Sequence, residues 1–200
     1  MEARFIVTPS LKIGDPQNGV DSVKTEMLML TKMSGLGLGP GPQAVDQRVA
    51  GRLSEKIRRK KFQGNLGESL VLRLSDEDDA PAKNVLLVGL GSISTFNYCG
   101  LRQVMHLAVE RAVKEKVSRL SIEISKDRLN ASTLNLTGTA HGIKECVNEK
   151  LAEIGADHDG TLEVELICTS QAARFVRKGL TIQRQSKHPC CDAPKPPCEK

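Results

Sequence analysis

The residues best suited to chemistry in this chain are glycines. Gly35, Gly37, Gly39 and Gly41 alternate through the segment Ser34-Gly-Leu-Gly-Leu-Gly-Pro-Gly-Pro42. A run of this kind between a strand and a helix offers backbone N–H groups to an anion, and the positive end of the helix dipole adds to the attraction. The ligand it suits is an anion such as a phosphate. Pro40 and Pro42 remove two of the donors, which favours a structural connection. A second pair, Gly89 and Gly91, closes Val85-Leu-Leu-Val-Gly-Leu-Gly91 at the end of a strand, where a doubly wound sheet binds ligands. The spacing lacks the third glycine of a dinucleotide fingerprint, and a tight turn explains it better. Thr137 and Gly138, before a helix, offer another anion cradle; the competing reading is an N-capping segment, for which Thr139 suffices.

Other reactive groups carry less. Lys56, Arg58, Arg59, Lys60 and Lys61 make a basic patch at a helix end, able to meet phosphates but also suited to the negative end of the helix dipole. Four Phe, one Tyr and no Trp leave almost nothing to stack on bases, so a solvated face is preferred over a nucleic-acid surface. His106 and His141 fall on expected helices, His158 lies between Asp157 and Asp159 in a loop, and no serine or cysteine sits in a nucleophile motif. The acidic run Asp76-Glu-Asp-Asp79 reads as a solvated loop. His188, Cys190, Cys191 and Cys198 could hold a soft metal, but adjacent cysteines suit a single zinc poorly, and free thiols are expected. No catalytic group, cofactor or metal is expected from these patterns.

The elements that position these groups follow from periodicity. Phe5-Ile-Val7 reads as an edge strand and Glu26–Met33 as a strand leading into the glycine loop, which its glycines and prolines keep from being helical. Val45, Val49, Leu53 and Ile57, four residues apart, predict one helix. Glu68–Leu74 and Asn84–Val88 read as strands, the second continuously apolar as an inner strand should be. Leu101–Val117 is expected to be the longest helix, on the stripe Leu101, Val104, Met105, Ala108, Ala112 and Val113. A strand at Arg119–Ile124 follows. After a loop through Asn130 to Thr139 comes a helix carrying Ile143, Cys146, Val147, Leu151 and Ile154, stopped by Gly155. Thr161–Thr169 is the last strand, and Ser170–Leu180 a helix with Ala172, Phe175 and Val176 inward.

From Glu68 onward strands and helices alternate, which predicts an α/β fold: a mixed, mostly parallel central sheet with helices on both faces in three layers. One domain is expected over residues 1–185, and the polar, proline- and cysteine-rich stretch 186–200 as a disordered tail. With 29 basic and 24 acidic residues, the net charge singles out no partner. No apolar run reaches the length of a membrane span. The cysteines have no disulfide-framework spacing, so a reducing, cytoplasmic setting is expected.

Two stretches carry a family resemblance. Phe62-Gln-Gly-Asn-Leu-Gly-Glu68 is similar to the F-x-G-x-x-G-E segment before a strand in the N-terminal domain of leucyl aminopeptidases. Val85–Gly91, followed by a long amphipathic helix, matches the same domain in order. The resemblance implies a macro-domain-like fold over roughly residues 1–185. In that family the peptidase chemistry lies in a separate two-metal domain, and no N-T-D-A-E-G-R-like segment is present here, so aminopeptidase activity is not expected to be inherited. Macro domains place a glycine loop against the diphosphate of ADP-ribose, yet ligand-binding ones usually carry an Asn pair where this chain reads Thr31-Lys-Met-Ser34. The leading expectation is a non-catalytic domain acting through self-association or a protein partner. The alternatives are an ADP-ribose-type binder at residues 35–41 and a nucleic-acid accessory protein using residues 56–61.

Overall fold

The computed structural model describes residues 1–11, 19–20, 23–75, 80–124, 135–155 and 160–183. Six strands form one sheet: β1 (Glu2–Leu11), β2 (Thr25–Lys32), β3 (Ser69–Arg73), β4 (Ala82–Gly89), β5 (Arg119–Glu123) and β6 (Thr161–Thr169). Their order across the sheet is β1-β6-β5-β2-β4-β3. All pairs are parallel except β3 with β4, the mixed, mostly parallel sheet expected.

Among the described residues five helices cover it: α1 (Pro40–Arg48), α2 (Arg52–Lys60), α3 (Tyr98–Lys114), α4 (Leu136–Ile154) and α5 (Ser170–Thr181). Alternation along the strands sorts the core into two layers. Met27, Met29, Leu86, Leu120, Ile122, Val164 and Leu166 face α3, α4 and α5, whereas Leu28, Leu30, Val85, Leu87 and Ile167 face α1 and α2. In β4 Val85, Leu86, Leu87 and Val88 are all fully buried, as a strand covered on both faces requires. The strand Phe5–Val7 is indeed at an edge, and Asn84–Val88 is inner.

Four expectations need correction. The stripe Val45–Ile57 belongs to two helices of nine residues each. Ala50 (φ 51°) and Gly51 (φ 78°) take left-handed backbone between them, and Asp46 stitches the corner by accepting from the Ser54 amide at 3.0 Å. Periodicity survives such a break because the buried side is the same on both pieces. The end of the glycine loop is helical after all: Pro40 is in the first turn of α1, where a missing N–H costs nothing. Next, α4, at 19 residues, exceeds α3, at 17. It is longer because it starts at Leu136, so Thr137 and Gly138 lie inside its first turn. Its cap is Asn135, whose side chain accepts from the Gly138 amide at 2.8 Å, while Thr139 is fully buried within the helix. Finally, Phe175 is 40% exposed rather than inward, with the Arg174 guanidinium over its ring at 4.5 Å; Ala172, Ala173 and Val176 suffice to seat α5.

Candidate functional site

The loops at the C-terminal ends of β2 and β4 bring together the candidate glycines 35, 37, 39, 41, 89 and 91. The segment before β3 is folded around one carboxylate. Glu68 Oε2 accepts from the amides of Gln63 (2.9 Å), Gly64 (2.8 Å) and Asn65 (3.1 Å), and Oε1 from Asn65 Nδ2 (3.0 Å). Three convergent N–H groups form an anion nest of the kind that binds phosphate, and here the chain supplies the anion itself. Burial opposes the charge on Glu68, but the amides of Gly64 and Gln63, with Asn65, outweigh it and hold the carboxyl below its ordinary value. The buried Lys32 ammonium reaches the same loop, donating to the carbonyls of Gln63 (2.8 Å) and Met33 (3.1 Å).

Gly89 and Gly91 fasten that loop to β4. The Gly89 amide donates to the Glu68 carbonyl and the Gly91 amide to the Gly64 carbonyl, each at 2.9 Å. A Cβ on Gly89 would collide with the backbone of Gly64 and Asn65, and Gly91 has φ +72°. These glycines are therefore required for a close backbone approach. The two stretches that carried the family resemblance lock together.

The glycine loop itself is split. Gly35 (φ +76°) and Gly37 are exposed, with no atom within 4 Å of where a Cβ would stand, whereas Gly41 is buried under the Glu123 carboxylate. Gly39 is the N-cap of α1 and contributes no side chain to it. Prolines occupy positions 40 and 42, and the Gln43 amide already donates to Gly39 at 2.9 Å. Gly41 is thus the residue in the first turn with an amide outside the helix ladder, and Glu123, at the end of β5 and 8% exposed, lies against it. A negative charge at a helix N-terminus is stabilising. Beside it, Thr31, Leu90, Phe96, Leu101, Glu123 and Ile143 are among the residues around a mostly apolar cavity of about 20 Å³, the size of a water or so rather than of a nucleotide. The sequence pointed to the loop but not to Glu123, which lies far along the chain and reads as an ordinary strand-end residue.

Thr137 and Gly138 stand apart from this cluster: Gly179 of α5 packs against the Thr137 carbonyl, so their turn is a helix–helix seam. Arg58, Arg59, Lys60 and Lys61 are exposed and Lys56 half-buried along α2. Arg59 pairs with Glu55 at 2.5 Å, and the helix ends on a left-handed Lys61 with the Phe62 amide returning to the Ile57 carbonyl at 3.0 Å, which fits a capped, solvated helix end. Asp76–Asp79, His158, His188 and the tail cysteines lie outside the described residues. Burial pushes the Cys168 thiol up to about 11, which leaves it unreactive. Among the described residues no helix is long and apolar enough to cross a membrane.

Sheet order, layers and glycine loop define a domain of the macro-domain fold. Solved relatives agree: an Oceanobacillus iheyensis macrodomain mutant superposes with a TM-score of 0.63 at 13% identity, covering 89% of this chain and 90% of that one. A Trypanosoma brucei macrodomain in complex with ADP-ribose gives 0.62 at 14%, covering 90% and 69%. A tomato leucine aminopeptidase mutant gives 0.56 at 14%, covering 90% of this chain and 35% of that one. Residues 31–151 match the cytosol aminopeptidase family, N-terminal domain, and the chain belongs to that family. Its sequence is 36% identical over 88 residues to a probable cytosol aminopeptidase of Thermosynechococcus vestitus, and 34% over 95 residues to one of Picosynechococcus. Those matches cover 44% and 46% of this chain but only 17% and 19% of the relatives, so it spans about a fifth of their length.

Proposed function

We propose that this domain is non-catalytic and works by association, through the loop cluster at the C-terminal end of its sheet, and does not bind a nucleotide diphosphate. The observation that carries the reading is Glu123 against Gly41. The position where a diphosphate would meet α1 is already matched by a buried carboxylate, and an incoming phosphate would face its charge. The nearby nest is likewise filled, by Glu68. Among the described residues no catalytic constellation accompanies them.

What the same end of the molecule does expose is apolar. Leu36, Leu66 and Ile93 are 54%, 42% and 43% exposed and sit on three loops that are tied together. The Ser34 amide donates to the Gly91 carbonyl at 2.9 Å, Ser34 Oγ donates to Asn65 Oδ1 at 3.0 Å, and Leu66 lies beside Gly91. Exposed apolar side chains gathered on neighbouring loops are the ingredients of an association surface. The occupant favoured is a second copy of the chain. Sedimentation velocity over a wide concentration range should show mass rising with concentration, and Leu36→Ser, Leu66→Ser and Ile93→Ser combined should hold the protein monomeric. A wild-type chain that stays monomeric throughout would contradict self-association.

A further inference from the structure

On the outer side of the α3–α4 pair, away from the loop cluster, one nitrogen of an imidazole is left without a hydrogen bond. His106 Nε2 is shut off from solvent and has no hydrogen-bond partner. It faces Glu149 Oε2 at 3.4 Å. Glu153 stands one turn further along α4, on the same face by its i,i+4 spacing. One ring nitrogen of His106 and one oxygen of each carboxylate lie within 4.8 Å of one another. We propose that His106, Glu149 and Glu153 form a binding site for a divalent first-row transition metal, zinc being the probe of choice, that staples α3 to α4.

The chemistry fits the donor set. An imidazole nitrogen and two carboxylate oxygens, with water completing a tetrahedron, are ordinary zinc ligands, and the nitrogen disfavours magnesium and calcium, which take oxygen. In a tetrahedral site with bonds of about 2.0–2.1 Å, neighbouring ligand atoms stand about 3.4 Å apart, the spacing His106 and Glu149 already have. Glu149 is oriented by hydrogen bonds from Arg102. Ligating carboxylates are characteristically fixed by such outer partners. Arg102 donates from Nε to Glu149 Oε2 at 2.9 Å and from its Nη2 to Oε1, while Lys150 donates to Glu153 (3.1 Å) and pairs with Glu110 (2.6 Å). With Glu110 counted, three carboxylates face two cations, leaving room for added positive charge.

The test uses the full chain with Cys190, Cys191 and Cys198 replaced by serine, so that tail thiols take no zinc. Equilibrium dialysis should find one zinc per chain. Zinc at about a hundred times its Kd should raise the Tm by about 5–10 °C, and magnesium should not. His106→Gln, which keeps the bulk, should abolish binding, and Glu153→Gln, at an exposed position, should weaken it at least about tenfold. If the chain lacking the three tail cysteines binds no zinc, or binds it equally well with His106→Gln and Glu153→Gln, the site does not exist and His106 is merely the ion-pair neighbour of Glu149.

Discussion

Glu68 shows how one side chain can decide the character of a loop. Three amides point at its carboxylate, so Glu68→Ala should strand them and lower stability by about 1–3 kcal/mol, read from urea unfolding at neutral pH. The sign of the pH effect follows from the lowered pKa. A carboxyl whose folded pKa lies below its unfolded value stabilises the fold above the ordinary range, near about pH 4.3, and loses that contribution as pH falls through the folded value. The stability difference between wild type and Glu68→Gln should therefore shrink as pH falls from the ordinary carboxylate range through the lowered folded value. A difference that stays constant over that window would show that the ionised carboxylate is not what holds the loop. In sequence Glu68 was visible only as the last letter of a family-like segment. That it is an internal anion became clear only when residues 63–65 were seen wrapped around it.

At the scale of elements, three glycines separate three roles. Gly37 has no φ in the left-handed range and nothing near it, so Gly37→Ala should leave the Tm unchanged. Gly51 is open but left-handed at φ +78°, and Gly51→Ala should cost about 1–2 kcal/mol of backbone strain. Gly89 meets backbone, and Gly89→Ala should cost about 1–3 kcal/mol through overpacking or prevent folding. Thermal unfolding of the three variants checks the order, and equal losses at all three would refute it. Apolar runs made the strands legible: β4 and β6 were readable because their side chains are buried on both sides or alternate cleanly. Helix limits were less so. The α1–α2 corner depends on Ala50 and Gly51 turning left-handed, and the start of α4 on Asn135, a cap hidden in a polar loop. The partnership of Glu123 with Gly41 depends on strand order, which no local pattern encodes.

The molecule as a whole has a macro-domain fold in which the carboxylates of Glu68 and Glu123 lie against backbone of the loop cluster, and Leu36, Leu66 and Ile93 are exposed nearby. The family's peptidase chemistry belongs to a two-metal clamp, and purified chain should release no leucine from a chromogenic substrate above background; metal-dependent release that persists through purification would contradict a non-catalytic role. The most direct test is a thermal-shift titration with ADP-ribose. A ligand at about a hundred times its Kd adds about 2.7 kcal/mol of stability, a displacement of the melting curve that cannot be missed in a domain of this size. No displacement is expected at millimolar ADP-ribose, on the proposal that the Glu123 carboxylate packed against Gly41 keeps a phosphate from the start of α1. A saturable rise in Tm with ADP-ribose that disappears in Gly37→Val, a substitution the open loop accommodates, would show that the cradle is open and the central claim wrong.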